Sequence, residues 1–316
     1  MNYIVTGCAG FIGSNLTQKL LNNGHSVLGI DNLTTGNRKF LKDCFLNDKF
    51  FFYKQDLTNT KLLNKINFKA DTIFHLAANA DVRFGCKNPT KDLEQNTIVT
   101  SNILEYMRIK NIKKIVFSST GSVYGEAKII PTKEDGFFPI QTSFYGASKL
   151  ACEALIQAYC EAFNFKCYIF RFVSLLGERY SHGHVIDFFK KLKNNSKILH
   201  VLGNGNQKKS YLNVNDCIDA LLLAFKKSKK NINILNLGTE EYISVKQSVK
   251  IICKKLKVKP KVIYQKNKRG WIGDNPFIFL NVKKIKKFGW KPKKNIKESI
   301  HETLNYIQRN QWLLKK

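Results

Sequence analysis

The chain is poor in proline, with six among 316 residues, and its 19 glycines are too few for a fibrous or low-complexity protein. It has no apolar run of the roughly 18 residues that a bilayer span requires. Its first residues carry neither a basic segment nor a signal-cleavage site, so we expect a cytoplasmic protein without membrane insertion. With 43% hydrophobic and 24% charged residues, it is long enough for one large globular domain or two smaller ones.

Metal-site and disulfide patterns are missing as well. The cysteines form no Cys-x-x-Cys pair, and histidines do not accompany them at zinc-ligand spacing. In a reducing compartment buried thiols are the default interpretation, and we predict no metal site. The eight cysteines stand at positions 8, 44, 86, 152, 160, 167, 217 and 253.

Acidic residues are scarce, 23 against 53 basic ones, which leaves a formal net charge of +30. Clustered basic residues would indicate nucleic-acid binding, because they release counterions from phosphates. Only seven of the basic residues are arginine, the lysines are spread over the chain, and no basic segment is interleaved with aromatic residues. We therefore predict no nucleic-acid partner, and expect this charge to favour an anionic small-molecule ligand.

Apolar strand segments alternate with helical patterns over residues 1–171. Residues 2–6 predict a strand, 14–22 a helix, and 26–31 a second strand that ends in an acid. Similar strand segments follow at 50–53, 72–76, 114–118 and 166–171. This pattern predicts an α/β fold with a Rossmann-type, doubly wound parallel sheet.

Beyond residue 172 the regular alternation of strands and helices dissolves into shorter elements. We therefore predict two domains. The first, residues 1–171, is the Rossmann domain that would hold a nucleotide cofactor. The second, residues 172–316, is a smaller α/β domain for the substrate, interleaved with the first.

A glycine-rich loop separates the first strand from the first helix. Gly7, Gly10 and Gly13 let the backbone approach a pyrophosphate, to which the helix amino terminus offers unpaired N–H groups. Asp31 ends the second strand eighteen residues later and is suited to accept from both ribose hydroxyls. The pattern predicts NAD, although Arg38 nearby could serve the 2′-phosphate of NADP. A glycine turn that only packs helix on strand is the other interpretation.

Seven motifs stand in order along residues 3 to about 180. They are Thr6-Gly7-Cys8-Ala9-Gly10-Phe11-Ile12-Gly13, Asp31-Asn32-Leu33, Asp56-Leu57, His75-Leu76-Ala77-Ala78, Ser118-Ser119-Thr120, Val123-Tyr124-Gly125 and Tyr145-Gly146-Ala147-Ser148-Lys149. Together they resemble the extended short-chain dehydrogenase/reductase family, and within it the sugar-nucleotide epimerases and dehydratases, in particular the UDP-glucose 4-epimerases. The resemblance implies an NAD-dependent enzyme that acts on a nucleotide-linked sugar.

The resemblance also implies a set of cofactor contacts. Asp56 would contact the adenine, and the turn of Ala77 and Ala78 would line the cofactor. The expected cofactor-binding residues are Gly7, Gly10, Phe11, Ile12, Gly13, Asp31, Asn32, Asp56, Leu57, Leu76, Ala77, Ala78, Asn96, Ser118, Tyr145 and Lys149.

Tyr145 and Lys149 are four residues apart, so they share one face if the segment is helical. Tyrosine is a poor base at neutral pH, but a lysine ammonium and a nicotinamide cation nearby would favour its phenolate. Tyr145 could then take the proton of a sugar hydroxyl while carbon 4 passes a hydride to the nicotinamide, and Thr120 would hold that hydroxyl in line. Taken alone, Tyr145 could be a half-buried helix tyrosine and Lys149 a solvated charge. Their occurrence together, in a chain that also has the glycine loop, favours a catalytic role.

The residues after Thr120 depart from several relatives. Gly121 and Ser122 stand where dehydratases of the family have Asp-Glu, where decarboxylating relatives keep a Glu and 3,5-epimerases a Cys. What remains is the machinery for oxidising and reducing carbon 4. Ser174 replaces the usual substrate-binding Asn of 4-epimerases, and Lys209 replaces a phosphate-binding Arg, which leaves the nucleotide base and the sugar open.

The segment Tyr180–His184 contains two histidines that flank a glycine. They could contact phosphate or sugar, or simply bond to backbone carbonyls. The expected substrate-binding residues are Thr120, Ser122, Ser174, Arg179, His184, Lys209 and Arg269.

We therefore expect a sugar-nucleotide 4-epimerase. One alternative is a 4-dehydrogenase that yields a keto sugar, for example from a GDP-heptose or GDP-hexose, for a surface polysaccharide. Another is an inactive NAD-sensing or scaffold protein, against which the intact Thr120, Tyr145 and Lys149 set counts.

A homodimer is expected, because in relatives the helices corresponding to residues 96–107 and 148–163 form a dimer bundle. Both segments carry apolar stripes here. The stripe residues are Ile98, Ile103, Leu104, Leu150, Ala154, Leu155, Ala158 and Tyr159.

Overall fold

The computed structural model describes residues 1–79, 85, 87–136, 139–267, 270, 275 and 277–315. Its strands are β1 (Asn2–Thr6), β2 (Ser26–Asp31), β3 (Phe50–Lys54), β4 (Thr72–His75), β5 (Lys114–Thr120), β6 (Lys166–Phe172), β7 (Ser174–Leu176), β8 (Ile198–Val201), β9 (Lys208–Lys209), β10 (Tyr211–Asn213), β11 (Ile232–Leu237), β12 (Ile243–Ser244), β13 (Lys261–Tyr264) and β14 (Phe277–Ile278).

Helices connect most of these strands. They are α1 (Phe11–Asn22), α2 (Thr60–Asn64), α3 (Pro89–Asp92), α4 (Val99–Ile109), α5 (Phe144–Phe163), α6 (His184–Asn194), α7 (Val214–Lys227), α8 (Val245–Leu256), α9 (Lys283–Lys286) and α10 (Ile296–Arg309). A π-helical segment, Leu93–Ile98, joins α3 to α4, and a 3-10 turn, Gly121–Tyr124, follows β5.

Seven parallel strands form the main sheet, in the order β11-β6-β5-β4-β1-β2-β3. Strand β1, an interior strand, pairs Val5 with Gly29 of β2 on one side and with Phe74 of β4 on the other. Because the strand order reverses between β1 and β4, a crevice opens at their carboxyl ends, where open α/β sheets bind nucleotides. The predicted doubly wound fold is confirmed.

Both faces of the sheet are covered by helices. Alternate residues of a strand point to opposite faces, so Val5 packs with residues of α1 and α7, and Ile4 packs with residues of α4 and α5. Val5 and Ile4 are both completely buried. This two-sided burial is the reason why the strands read as near-continuous apolar runs rather than alternating ones.

Several predicted boundaries differ from the observed ones, and two of these differences matter for the site. Helix α1 begins at Phe11 instead of residue 14, because Gly10 takes an extended conformation and caps the helix ahead of its first apolar repeat. Strand β5 continues to Thr120, two residues beyond its apolar run, because Ser119 and Thr120 stay in register with Arg171 and Phe172 of β6.

The part of the chain after residue 172 builds three small sheets, β10-β7, β12-β9-β14 and β13-β8. It also returns to the main sheet, where β11 pairs in parallel with β6. The division at residues 171 and 172 stays a prediction. Among the described residues, no helix is long and apolar enough to cross a bilayer.

Candidate active site

The glycine loop lies between β1 and α1 at the carboxyl edge of the sheet. Gly7 has a φ of +69°, and a Cβ atom on Gly13 would lie 2.0 Å from the carbonyl oxygen of Gly7. The first turn of α1, with Phe11 and Ile12, therefore packs directly on the loop. This cradle, which any side chain at position 13 would fill, fits the close approach of a pyrophosphate.

Asp31 ends β2 next to this loop. Its carboxylate accepts from the N–H of Ala9 at 2.9 Å and from the N–H of Leu33 at 2.8 Å. Burial raises the pKa of Asp31, and the two backbone hydrogen bonds oppose that rise. The carboxylate thus stands beside the loop, as a ribose-binding acid requires.

A second acid stands beside the first. The side-chain amide of Asn32 donates to Asp56 at 2.8 Å. Burial acts to raise the pKa of Asp56, but hydrogen bonds from Thr58 and Asn32 outweigh it and lower the pKa. Leu57, the next residue, is buried. Two carboxylates at this edge disfavour a 2′-phosphate. Arg38 is the residue that could bind a 2′-phosphate. Its guanidinium carbon lies 4.1 Å from the centroid of the Phe45 ring.

The loop after β4 is held by a buried polar pair, Thr6 and His75, whose mutual contact their two motifs do not predict. Thr6 Oγ1 accepts from the N–H groups of Leu76 and Ala77, both at 3.2 Å, and lies 2.7 Å from His75 Nδ1. Burial, reinforced by the charge of Lys149, lowers the pKa of His75 to about 3, so its ring is neutral. His75 therefore has a structural part, orienting the loop that runs through Leu76 and Ala77 to the half-buried Ala78.

Helix α5 brings the catalytic candidates to the same edge. Lys149 is 1% exposed, and its Nζ donates to the carbonyl oxygen of Ser118 on β5 at 2.9 Å. Tyr145 lies one turn earlier on α5. Thr120 ends β5, where its Oγ1 accepts from the N–H of Ser122 at 3.1 Å. The three predicted residues thus belong to one strand end and the helix bonded to it.

Electrostatics separate the tyrosine from the lysine. Burial raises the pKa of Tyr145, and the charge of Asp92 adds to that effect. Burial lowers the pKa of Lys149 to about 8, although the nearby acids Glu153 and Asp92 act to raise it. The polypeptide by itself therefore keeps Tyr145 protonated at neutral pH. A cationic nicotinamide ring beside the phenol would act in the opposite direction.

Asn96 links the cofactor loop to the catalytic helix. It comes from the π-helical segment, accepts from the N–H of Asn79 at 2.8 Å and donates to Ser148 Oγ at 2.8 Å. Asp92, 1% exposed, accepts from the side chain of Asn79 at 2.9 Å. Sequence reasoning named Asn96 but missed Asn79 and Asp92, which have no motif of their own.

Among the predicted substrate residues, His184 and Lys209 come together. His184 begins α6, and its Nε2 lies 2.7 Å from Ser248 Oγ, a hydroxyl rather than a backbone carbonyl. Burial and then the charge of Lys209 lower the pKa of His184 to about 3. Lys209 Nζ donates to the carbonyl oxygen of Asn275 at 2.5 Å.

The remaining predicted substrate residues are Arg179, Ser174 and Arg269. Arg179 has a φ of +64°, and its guanidinium donates to the carbonyl oxygen of Ser14 in α1 at 2.7 Å. Ser174 begins β7 with its side chain exposed. Arg269 lies outside the described residues. The contact of each of these residues with substrate stays a prediction.

Comparisons with known proteins agree with this architecture. Residues 3–238 match the model of the NAD dependent epimerase/dehydratase family. The chain therefore belongs to this family, as its motifs predict, and is an NAD-dependent enzyme of the sugar-nucleotide epimerase class.

Individual relatives cover nearly the whole chain. The "Putative UDP-glucose 4-epimerase" of Methanocaldococcus jannaschii is 38% identical over 97% of this chain and 98% of its own. The crystal structure of a UDP-galactose 4-epimerase superposes with a TM-score of 0.89, at 32% identity over 99% of this chain and 100% of that one. That of Bacillus cereus UDP-glucuronic acid 4-epimerase, in complex with UDP-glucuronic acid and NAD, gives 0.88 at 28% identity over 98% and 100%.

Proposed function

We propose that this protein is a UDP-sugar 4-epimerase. The observation that carries the proposal is the bond from Lys149 to the Ser118 carbonyl, which ties the helix face of Tyr145 and Lys149 to the strand that ends in Thr120. Uridine is proposed as the base because the relatives described above are named for UDP-linked sugars.

The residues of the chain would share the proton chemistry. NAD, when bound, supplies the hydride acceptor for carbon 4 and the donor that returns the hydride. Tyr145 takes the proton of the 4-hydroxyl and later gives it back, because Lys149 in its ammonium form favours the phenolate. Thr120 holds the hydroxyl oxygen in line through its own hydroxyl.

The surroundings of Gly121 argue against chemistry at other carbons. A Cβ atom on Gly121 would lie 2.8 Å from Ile278 Cγ2, so an acidic side chain at this position would require Ile278 to move. Ser122 supplies neither a carboxylate nor a thiol. Elimination across carbons 5 and 6, and inversion at carbons 3 and 5, therefore lack their acid and base.

We place the nucleotide diphosphate near His184 and Lys209, in the predicted substrate domain of residues 172–316. Lys209 brings a positive charge close enough to lower the pKa of His184. Asn275 joins this region to the catalytic helix, because its backbone carbonyl accepts from Lys209 while its side chain accepts from Thr142 Oγ1 at 2.9 Å. Thr142 precedes Tyr145 by three residues.

We also propose a homodimer. Two residues of the predicted stripe, Ile103 and Leu104, are fully buried in the core of the chain itself, so they cannot contact a partner subunit. Large apolar side chains stay exposed along the π-helical segment and at the ends of α4 and α5. They are Leu93, Ile98, Ile109, Phe144 and Phe163. Light scattering should give twice the chain mass, and Ile98→Glu should give the single-chain mass; a monomeric wild-type protein would contradict the proposal.

The test of function is incubation with UDP-glucose, UDP-galactose, UDP-glucuronate and UDP-N-acetylglucosamine, each in deuterated water, followed by NMR. A 4-epimerase yields the 4-stereoisomer of at least one of them, without added NAD being consumed and without deuterium at carbon 5 or 6. A keto sugar with stoichiometric NADH would instead identify a 4-dehydrogenase. Deuterium at carbon 5 or 6 would reveal elimination or inversion and refute the assignment.

A further inference from the structure

A buried ion pair lies directly behind the catalytic residues. Glu153 and Arg171 are 1% and 8% exposed. The Nε of Arg171 donates to both carboxylate oxygens of Glu153 at 3.1 Å, and its Nη2 donates to one of them at 2.7 Å. Such a forked arrangement restrains direction as well as distance, because the guanidinium and the carboxylate are both planar.

One end of the pair holds the catalytic helix. Tyr145, Lys149 and Glu153 follow one another at intervals of four residues, so they form one stripe along α5. Lys149 donates to the carbonyl of Ser118, and Ser119 donates its hydroxyl to Glu153. Two successive residues of β5 are therefore bonded to two successive turns of α5, immediately before Thr120.

The other end of the pair holds the turn that follows Thr120. Arg171 Nη1 donates to the phenol oxygen of Tyr124 at 2.7 Å, and that phenol donates to Asn236 at 2.8 Å. Tyr124 closes the 3-10 turn Gly121–Tyr124, which contains Ser122. The same Nη1 also donates to the backbone carbonyl of Glu134 at 3.1 Å.

We propose that Glu153 and Arg171 are positioning residues for the reaction at carbon 4, which set the placement of Tyr145 on α5 relative to Thr120 and its turn. The proposal rests on the 4-epimerase function proposed above. Stability alone does not account for the pair, because apolar residues of similar volume often replace a buried ion pair without loss of stability. An apolar pair would lose the directional bonds that join helix, strand and turn.

The experiment compares three variants with the wild-type enzyme. Glu153→Leu combined with Arg171→Met removes both charges and fills the space. Glu153→Asp keeps the charge but shortens the arm by one methylene, and serves if the double variant does not fold. Glu240→Gln combined with Lys286→Met removes an ion pair of 2.6 Å on the surface, where neither residue belongs to the site.

We expect the folded double variant to lose at least about tenfold in kcat, since small misplacements of reacting groups cost up to about a hundredfold. Its KM and its Kd for NAD should stay within about threefold of wild type, because a small shift of Tyr145 removes one aligned contact of the transition state and leaves most contacts of ground-state binding in place. Glu153→Asp should lose kcat in the same sense, and the surface control should keep wild-type values. The proposal would be overturned if the double variant kept a kcat within about twofold of wild type. Where the double variant does not fold, the same criterion applies to Glu153→Asp.

Hydrogen exchange decides the question independently of the substrate. The amides of residues 119–125 and 143–149 should exchange faster in the double variant than in the surface control, compared at equal global stability. Glu153→Asp takes the place of the double variant where that one does not fold. Unchanged exchange in both segments would overturn the proposal. If the wild-type enzyme converts no UDP-sugar, the 4-epimerase function fails, and the exchange rates alone determine whether the ion pair positions these segments.

Discussion

Replacement of Lys149 by methionine should reduce turnover at least about a hundredfold without lowering the stability of the fold at neutral pH. The ammonium is buried, and its pKa of about 8 lies below the ordinary value of 10.5. Each unit of such a difference corresponds to roughly 1.4 kcal/mol, so holding the charge in the folded state costs about 3 kcal/mol at pH 7. The methionine variant avoids this cost. It also loses the hydrogen bond to the Ser118 carbonyl, which offsets about 1 to 2 kcal/mol of the stability gained.

The pH dependence gives the sharper measurement. Below pH 8 the lysine is protonated in both states, and the folded state carries the full cost of the buried charge. Between pH 8 and 10.5 the folded state has released the proton while the unfolded chain still binds it, so wild-type stability rises with pH. Lys149→Met lacks this rise. Relative to the variant, the wild-type protein should gain about 2 to 3 kcal/mol between pH 7 and pH 10.

Urea unfolding of both proteins at several pH values measures this difference, because titrations common to both cancel. Lys297→Met, which removes an exposed lysine of α10, is the matched control and should follow the wild-type curve. Epimerase assays of the same preparations should show a loss of at least about a hundredfold for Lys149→Met. Parallel stability curves for wild type and Lys149→Met would show that the folded protein holds no strained lysine charge, and would refute the reasoning.

Three further results are expected. Calorimetry should show NAD binding at least about tenfold tighter than NADP, and Asp31→Asn should reduce this difference, because we expect the Asp31 carboxylate to bind the ribose and to repel a 2′-phosphate; NADP binding more tightly than NAD would contradict this. Tyr145→Phe should lose about a hundredfold to ten-thousandfold in turnover with unchanged NAD affinity, and retention of a tenth of the activity would move the base elsewhere. Gly121→Asp should lower the melting temperature through its contact with Ile278 and yield no dehydrated product; a dehydrated sugar would show that one carboxylate suffices.

Local sequence patterns determined the framework of this protein. The glycines from Gly7 to Gly13 and the acid at Asp31 predicted the cofactor loop, and the apolar runs predicted the main-sheet strands through residue 171. The spacing of Tyr145 and Lys149 predicted a shared helix face. These features can be predicted from the sequence because hydrophobic periodicity, turn residues and strand ends depend on residues that are neighbours along the chain.

Tertiary structure decided which distant residues meet. Nothing local in residues 232–237 shows that they pair with β6, and no motif marks the contacts of Asn96 with Asn79 and Ser148. Arg171 looks like any strand residue until Glu153 and Tyr124 are packed against it, and nothing local to Arg179 shows its bond to the Ser14 carbonyl in α1. Such partners lie many residues apart, and only the packing of helices on the sheet brings them within hydrogen-bond distance.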